Sequence, residues 1–326
     1  MPETACIITI DTEGDNLWAR PREITTRNAE CLPRFQALCE RFEFKPVYLT
    51  NYEMARSRFF VGFARDVIAR GAGEVGMHLH AWYSPPFVPL SSDDMHYQPY
   101  LIEYPEAVIR DKIRFLTDML EDRFERKMLS HRAGRWAFDA RYAAALLEAG
   151  YRVDCSVTPG VDWRRNPGAP NGRGGADYRH FPAQPYFLDP ADISAPAAGQ
   201  LLEVPLTVRS SRMYRCAQWA YRIPLLRRAA NRLSPGLSWL SPAESNLAQM
   251  QAAARQARAE SAAHVEFMLH SSELMPGGSP SFRDASAIER LYENLEVLFA
   301  ELATWCRGMT LQEFAAQYSS RAATLQ

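Results

Sequence analysis

In Glu74-Val75-Gly76-Met77-His78-Leu79-His80-Ala81-Trp82 a short apolar run ends in two histidines. Gly71 and Gly73 stop the preceding helical pattern, so Glu74 to Met77 reads as a strand that delivers the pair. Side chains alternate across a strand with a period of two. Imidazoles two residues apart therefore leave the same face and can share one metal ion. Asp11-Thr12-Glu13 offers the third ligand, and it closes another run, Cys6 to Ile10, of the kind expected for a strand buried on both faces of a parallel sheet.

Working outward, strand and helix patterns alternate. Leu32, Phe35, Leu38, Cys39 and Phe42 recur at helical spacing over residues 28–42, with Pro33 in the first turn, and Val47 to Thr50 reads as a strand. A helix is expected over 57–70, a long functional loop over 84–104, and a helix from Pro105 to Phe124. Lys127 to Ser130 reads as a strand ending at His131-Arg132, Asp139 as the N-cap of a helix that ends at Gly150, and Tyr151 to Val157 as the next strand. After a Pro- and Gly-rich stretch, Leu202, Val204, Leu206 and Val208 alternate as one strand. Helices at 243–260 and 287–305 flank a strand, Val265 to Leu269, that ends at His270, and Thr310 with Glu313 forms a capping-box pattern.

About seven such alternations define a parallel sheet covered by helices, open or closed into a barrel. Asp11, His78, His131, Arg132 and His270 each follow the last apolar residue of an expected strand. In barrels that edge carries the active site, so one shared site is expected there.

The chain has 326 residues, with 37 Lys plus Arg against 38 Asp plus Glu, so no global field draws in nucleic acid. Six cysteines lack CxxC spacing, which points to reduced thiols. No signal peptide or spanning segment is read, and the expected location is cytoplasmic. Residues 214–232 mix Trp219, Tyr221, Leu225 and Leu226 with five arginines, either a peripheral membrane or phosphate contact or a solvated surface helix.

Two histidines and a carboxylate leave open positions on a metal, a set suited to hydrolysis. Asp11 and Glu13 share a face if the strand continues, so one can bind metal while the other accepts a proton. Arg132 would keep that acceptor ionised and oriented, and His131, pointing the opposite way, reads as structural. His270 could protonate a leaving amine, and Asp154 could orient a partner or cap a turn.

Thr9 to Asp15, Gly76 to Trp82, Ser130 to Trp136, Gly150 to Pro159 and Leu269 to Ser272 together resemble, in order, the successive motifs of the polysaccharide deacetylase (NodB-homology, carbohydrate esterase family 4) family. The resemblance implies a distorted (β/α)7 barrel, taken as a single domain over 1–326 with a loop and helical insertion at about 158–260. It also implies metal-dependent removal of an N-acetyl group from an amino sugar. On that pattern Asp11 is the general base, His270 the general acid and Arg132 the arginine that holds the base. Glu13, His78 and His80 would hold a divalent metal, Zn2+ first, with Fe2+, Co2+, Ni2+ or Mn2+ as alternatives. Trp82, Arg135 and Trp136 would contact substrate.

The chain departs from the family twice: Asp11-Thr12-Glu13 replaces Asp-Asp, and Trp82 stands where the second histidine usually lies, so His80 must substitute. The expected substrate is an N-acylated sugar of surface-glycan assembly, nucleotide- or lipid-linked. The alternatives are a deformylase or other C–N amide hydrolase, a non-catalytic glycan-binding relative, and a non-haem Fe(II) oxygenase.

Overall fold

The computed structural model describes residues 3–166, 174–210 and 236–324; the cationic segment 214–232 lies outside the described residues. The strands are β1 (Thr4–Thr12), β2 (Pro46–Thr50), β3 (Glu74–Leu79), β4 (Ser130–Ala133), β5 (Val153–Asp154), β6 (Tyr186–Phe187), β7 (Leu202–Glu203), β8 (Val208–Ser210), β9 (Leu237–Trp239), β10 (His264–His270) and β11 (Cys306–Gly308). Seven of them, in the order β10-β1-β2-β3-β4-β5-β7, pair in parallel. The antiparallel β6 extends the β7 edge, and β11 runs beside the start of β1. The sheet curls into a half-barrel, the expected distorted β/α barrel, with helices such as Leu32–Arg41, Arg58–Ala69, Glu106–Phe124 and Ala285–Ala303 packed around it. The antiparallel jelly roll that an oxygenase reading would prefer is not the fold of this sheet.

Alternation along β1 separates two cores. Cys6, Ile8 and Ile10 pack outward with Phe35, Phe267 and Phe299, whereas Ala5 and Ile7 pack inward with Val47, Leu49, Val153, Cys155 and Leu202. The inward face turns polar toward the C-terminal ends of the strands, where Thr9, Asp11, Arg132 and Glu266 are all buried. Register then places the site: Asp11 lies opposite His270, and His78 opposite Arg132.

Several expected boundaries shift. The strand expected over Lys127 to Ser130 is β4, three residues later, and it contains His131 and Arg132. The interior it faces is polar, so its inward residues do not look like core residues. Residues 202–208 are not one strand. Leu202, Val204, Leu206 and Val208 are all buried, but the alternation is shared between β7 and β8, which belong to different sheets. Pro205, which has no N–H for a ladder, lies between them. The intervening segment instead bridges the opening beside β10. His264 Nε2 bonds the Pro205 carbonyl at 2.8 Å, and the Glu266 N–H donates to Thr207 Oγ1 at 2.8 Å.

The helix read from residue 28 starts as a 3-10 turn, Arg27–Cys31, before becoming α-helical at Leu32. The capping box stands as expected, with Glu313 N–H on Thr310 Oγ1 at 3.2 Å and Thr310 N–H on Glu313 Oε2 at 3.0 Å. Among the described residues no helix is long and apolar enough to cross a membrane.

Candidate metal centre and active site

Arg132 organises the barrel interior. It is fully buried, and its guanidinium donates through Nη1 to Asp11 Oδ1 at 2.6 Å, through Nη2 to Thr9 Oγ1 at 2.8 Å and to Glu266, and through Nε to the Cys155 carbonyl at 3.1 Å. A buried cation is tolerated only when paired and hydrogen-bonded, and these contacts meet that condition. Burial works against ionisation of Asp11, but the Arg132 charge, aided by His78 and His270, holds its pKa below the usual carboxylate range. Burial pushes Glu266 up to about 7 although Arg132 opposes the shift. Glu266 sits inside a run with the pattern of an apolar strand, so in the sequence only its inward parity marks it.

Asp11 Oδ2 faces the open end of the barrel, 3.8 Å from His78 Nε2 and 3.9 Å from His270 Nε2. Beside it Glu13 Oε2 lies 2.8 Å from His80 Nε2 and 3.5 Å from His78 Nε2, and the two imidazole Nε2 atoms are 3.1 Å apart. Burial would raise the Glu13 pKa, but its bonds to His78 and His80 hold it well below the ordinary range.

His78 Nδ1 contacts the Arg132 carbonyl at 3.1 Å. A carbonyl can only accept, so Nδ1 carries the proton and Nε2 presents its lone pair. Glu13, His78 and His80 thus bring one donor atom each to within 4.8 Å of one another. Two imidazoles and a carboxylate converging without intervening side chains fit a divalent cation. His80 Nδ1, by contrast, is buried with no hydrogen-bond partner among the described residues.

His80 reaches this point because Gly134 leaves room for it. A Cβ at residue 134 would lie 2.6 Å from His80 Nδ1 and 2.6 Å from the Leu79 carbonyl. The position that would hold the usual second histidine is Trp82, which packs on the His80 ring with centroids 4.3 Å apart. The short His-x-His spacing therefore brings a ligand atom to the cluster while the aromatic ring backs it.

His270, about a quarter exposed, stands across the opening from this group. Burial alone would lower its pKa. The bond from Nδ1 to Glu273 Oε2 at 3.3 Å and the charges of Glu13, Glu273 and Asp11 outweigh that and raise it to about 9. Trp18 meets its ring edge-on at 4.9 Å.

His131, as its opposite parity requires, points outward. Its Nδ1 bonds Asp154 at 2.6 Å and its Nε2 bonds the Tyr142 hydroxyl at 2.8 Å, so Asp154 orients a partner and His131 is structural. The loop after β1 is fixed by residues not singled out from sequence. Asp15 accepts from Thr25 at 2.7 Å and from the Asn28 side chain at 2.7 Å, and Ser271 Oγ contacts the Glu13 backbone N–H at 3.1 Å.

Asp11, Glu13, His78, His80 and His270 line one cavity of about 410 Å3, together with Trp82, Arg135 and Trp136. Trp18, Arg20, Met95, Tyr100 and Trp163 are also in its wall. Of these, Trp18 and Arg20 belong to a segment without periodicity, and no sequence signal marked them.

Comparison of the sequence with family models and with curated proteins finds no match. Solved structures do match. A protein of Parabacteroides distasonis assigned as a glycoside hydrolase/deacetylase aligns with a TM-score of 0.59 at 12% identity, covering 98% of this chain and 72% of that one. A protein of Mycobacterium smegmatis assigned as a polysaccharide deacetylase aligns with a TM-score of 0.54 at 14% identity, covering 98% and 92%. A GH57 branching enzyme of Thermococcus kodakaraensis aligns at 0.52 and 12% identity, covering 97% and 71%. The chain therefore has the fold of the polysaccharide deacetylases. The same fold also serves a branching enzyme, so the chemistry has to be argued from the site.

Proposed function

We propose that this protein hydrolyses the N-acetyl group of an amino sugar, with Glu13, His78 and His80 holding a divalent cation, zinc being the ion this donor set favours. The observation that carries the reading is the convergence of three metal-ligand atoms beside an arginine-held carboxylate and a histidine, all on one sugar-sized cavity. When bound, the cation would polarise the acyl oxygen and acidify a water.

The chain's own residues account for the proton transfers. Asp11 Oδ1 is fixed by Arg132, which leaves Oδ2 free to take the proton of the attacking water. The carbonyl carbon gains a C–O bond, the C–N bond breaks, and the departing nitrogen takes its proton from His270 Nε2, whose Nδ1 is held by Glu273. Acetate and a free amine leave. Trp82, Trp136 and Arg135 line the cavity where the sugar would rest.

Product analysis tests this reading. The full chain, incubated with N-acetylated and N-formylated amino sugars and their nucleotide-linked forms, is expected to release acetate. Formate alone would move the assignment to a deformylase, and release of neither from any member would remove the hydrolase reading.

A further inference from the structure

The cavity holds more positive charge than the hydrolysis requires. Arg132 is consumed by Asp11 and Glu266, and the carboxylates that line the cavity are engaged, Asp11 by Arg132 and Glu13 by the two histidines. Arg20 and Arg135 remain. Arg20 bonds the imidazole of His96, and the Arg135 guanidinium lies 5.4 Å from the Tyr100 ring centroid. Neither forms an ion pair with a carboxylate among the described residues.

The backbone points to the same two residues. Arg20, Arg135 and Trp136 have φ of 50°, 56° and 59°, so three of the seven non-glycine residues in the left-handed region among the described residues line this one cavity. Such conformations are disfavoured for residues with a Cβ and persist where the surroundings impose them, as they do at ligand clamps. A second cavity of about 380 Å3 adjoins the first and shares Arg20, Trp82 and Met95 with it; Arg22, Lys112, Asp93 and Asp94 also line it, Asp94 accepting from the Leu90 and Ser91 N–H groups and the Tyr104 hydroxyl and Asp93 from the His96 N–H.

We infer that the sugar bound here carries an anionic substituent, a carboxylate or a phosphate, taken by Arg135 and Arg20 in the wall of the first cavity, with Arg20 on the side that opens to the second. The inference rests on the amino-sugar reading of the first cavity. A guanidinium pairs with either anion through two parallel charge-assisted hydrogen bonds, whereas a neutral sugar hydroxyl returns less for the same desolvation. The aromatic walls supply the flat faces and the arginines supply the selectivity.

The test is a set of binding titrations read as quenching of tryptophan fluorescence within seconds of mixing. N-acetylglucosamine, its 1- and 6-phosphates, and N-acetylglucosaminuronic acid are added to the full chain at low salt. An anionic member is expected to bind about tenfold or more tightly than the neutral sugar, the scale of one charge-assisted hydrogen bond. Whether a phosphate or the uronate shows the preference identifies the group. The ratio of anionic to neutral affinity should fall to about one in Arg135→Gln and drop in Arg20→Gln, and Arg135→Lys should retain part of it. Equal binding of neutral and anionic sugars, or a ratio unchanged in both glutamine variants, overturns the inference. Acetate release from the same sugars is scored separately. An anion preference without acetate sinks the hydrolase and keeps the anion site, and acetate from the neutral sugar without any preference does the reverse.

Discussion

An Asp11→Asn chain is expected to fold, and to lose turnover by about 10²–10⁴-fold, the usual contribution of a positioned proton acceptor. Asparagine keeps an oxygen for Arg132 Nη1, now 2.6 Å from Asp11 Oδ1, but its amide cannot take a proton. The buried arginine also retains Glu266, Thr9 and the Cys155 carbonyl. Removing the Asp11 charge should ease ionisation of Glu266, whose pKa of about 7 is raised in part by that neighbour. The melting temperature should therefore fall only modestly. Asp11→Ala, which leaves an Arg132 N–H unpaired in the interior, should cost more stability than Asp11→Asn. The measurements are acetate release and a thermal melt of both variants. Near-wild-type turnover in Asp11→Asn would remove Asp11 from the chemistry.

The second large effect concerns His270. As proton donor it acts in its charged form, so activity is present below its pKa and is lost as pH rises through it. Its pKa of about 9 reflects burial overridden by Glu273, Glu13 and Asp11. A cation held beside Glu13 would offset that carboxylate's charge and move the alkaline limb of kcat/KM down, so the limb should be centred at or below about pH 9. His270→Gln should lower kcat by about 10²–10³-fold and abolish the limb. Glu273→Gln, which removes the carboxylate facing Nδ1 at 3.3 Å, should shift the limb to lower pH while sparing most of the rate. A profile whose alkaline limb is identical in wild type and His270→Gln would contradict the role.

Much of this site was legible because strand parity is rigid. The spacing of two between His78 and His80, and between Asp11 and Glu13, predicted shared faces, and the structure brings the metal-ligand atoms of Glu13, His78 and His80 together. Opposite parity separated His131 from Arg132, and His131 is indeed turned away into a bond with Asp154. What could not be read followed from tertiary context. The β4 boundary slipped because a polar barrel interior erases the apolar signal that marks a strand. Pro205 divided a clean alternation between two sheets. Arg20 and Trp18 reach the cavity from an aperiodic segment, and the left-handed backbone at Arg135 and Trp136 is set by packing that no local pattern encodes. The room that Gly134 leaves for His80 becomes visible only once a side chain is built onto it.

On the proposed reading Glu13, His78 and His80 form one metal site although Trp82 stands at the position of the usual second histidine. Elemental analysis of the full chain, purified without chelator and compared with His80→Ala, decides whether they do. About one divalent ion per wild-type chain is expected, with a large loss of that ion in His80→Ala and the fold retained. A metal-free wild type, or an undiminished metal content in His80→Ala, would contradict it.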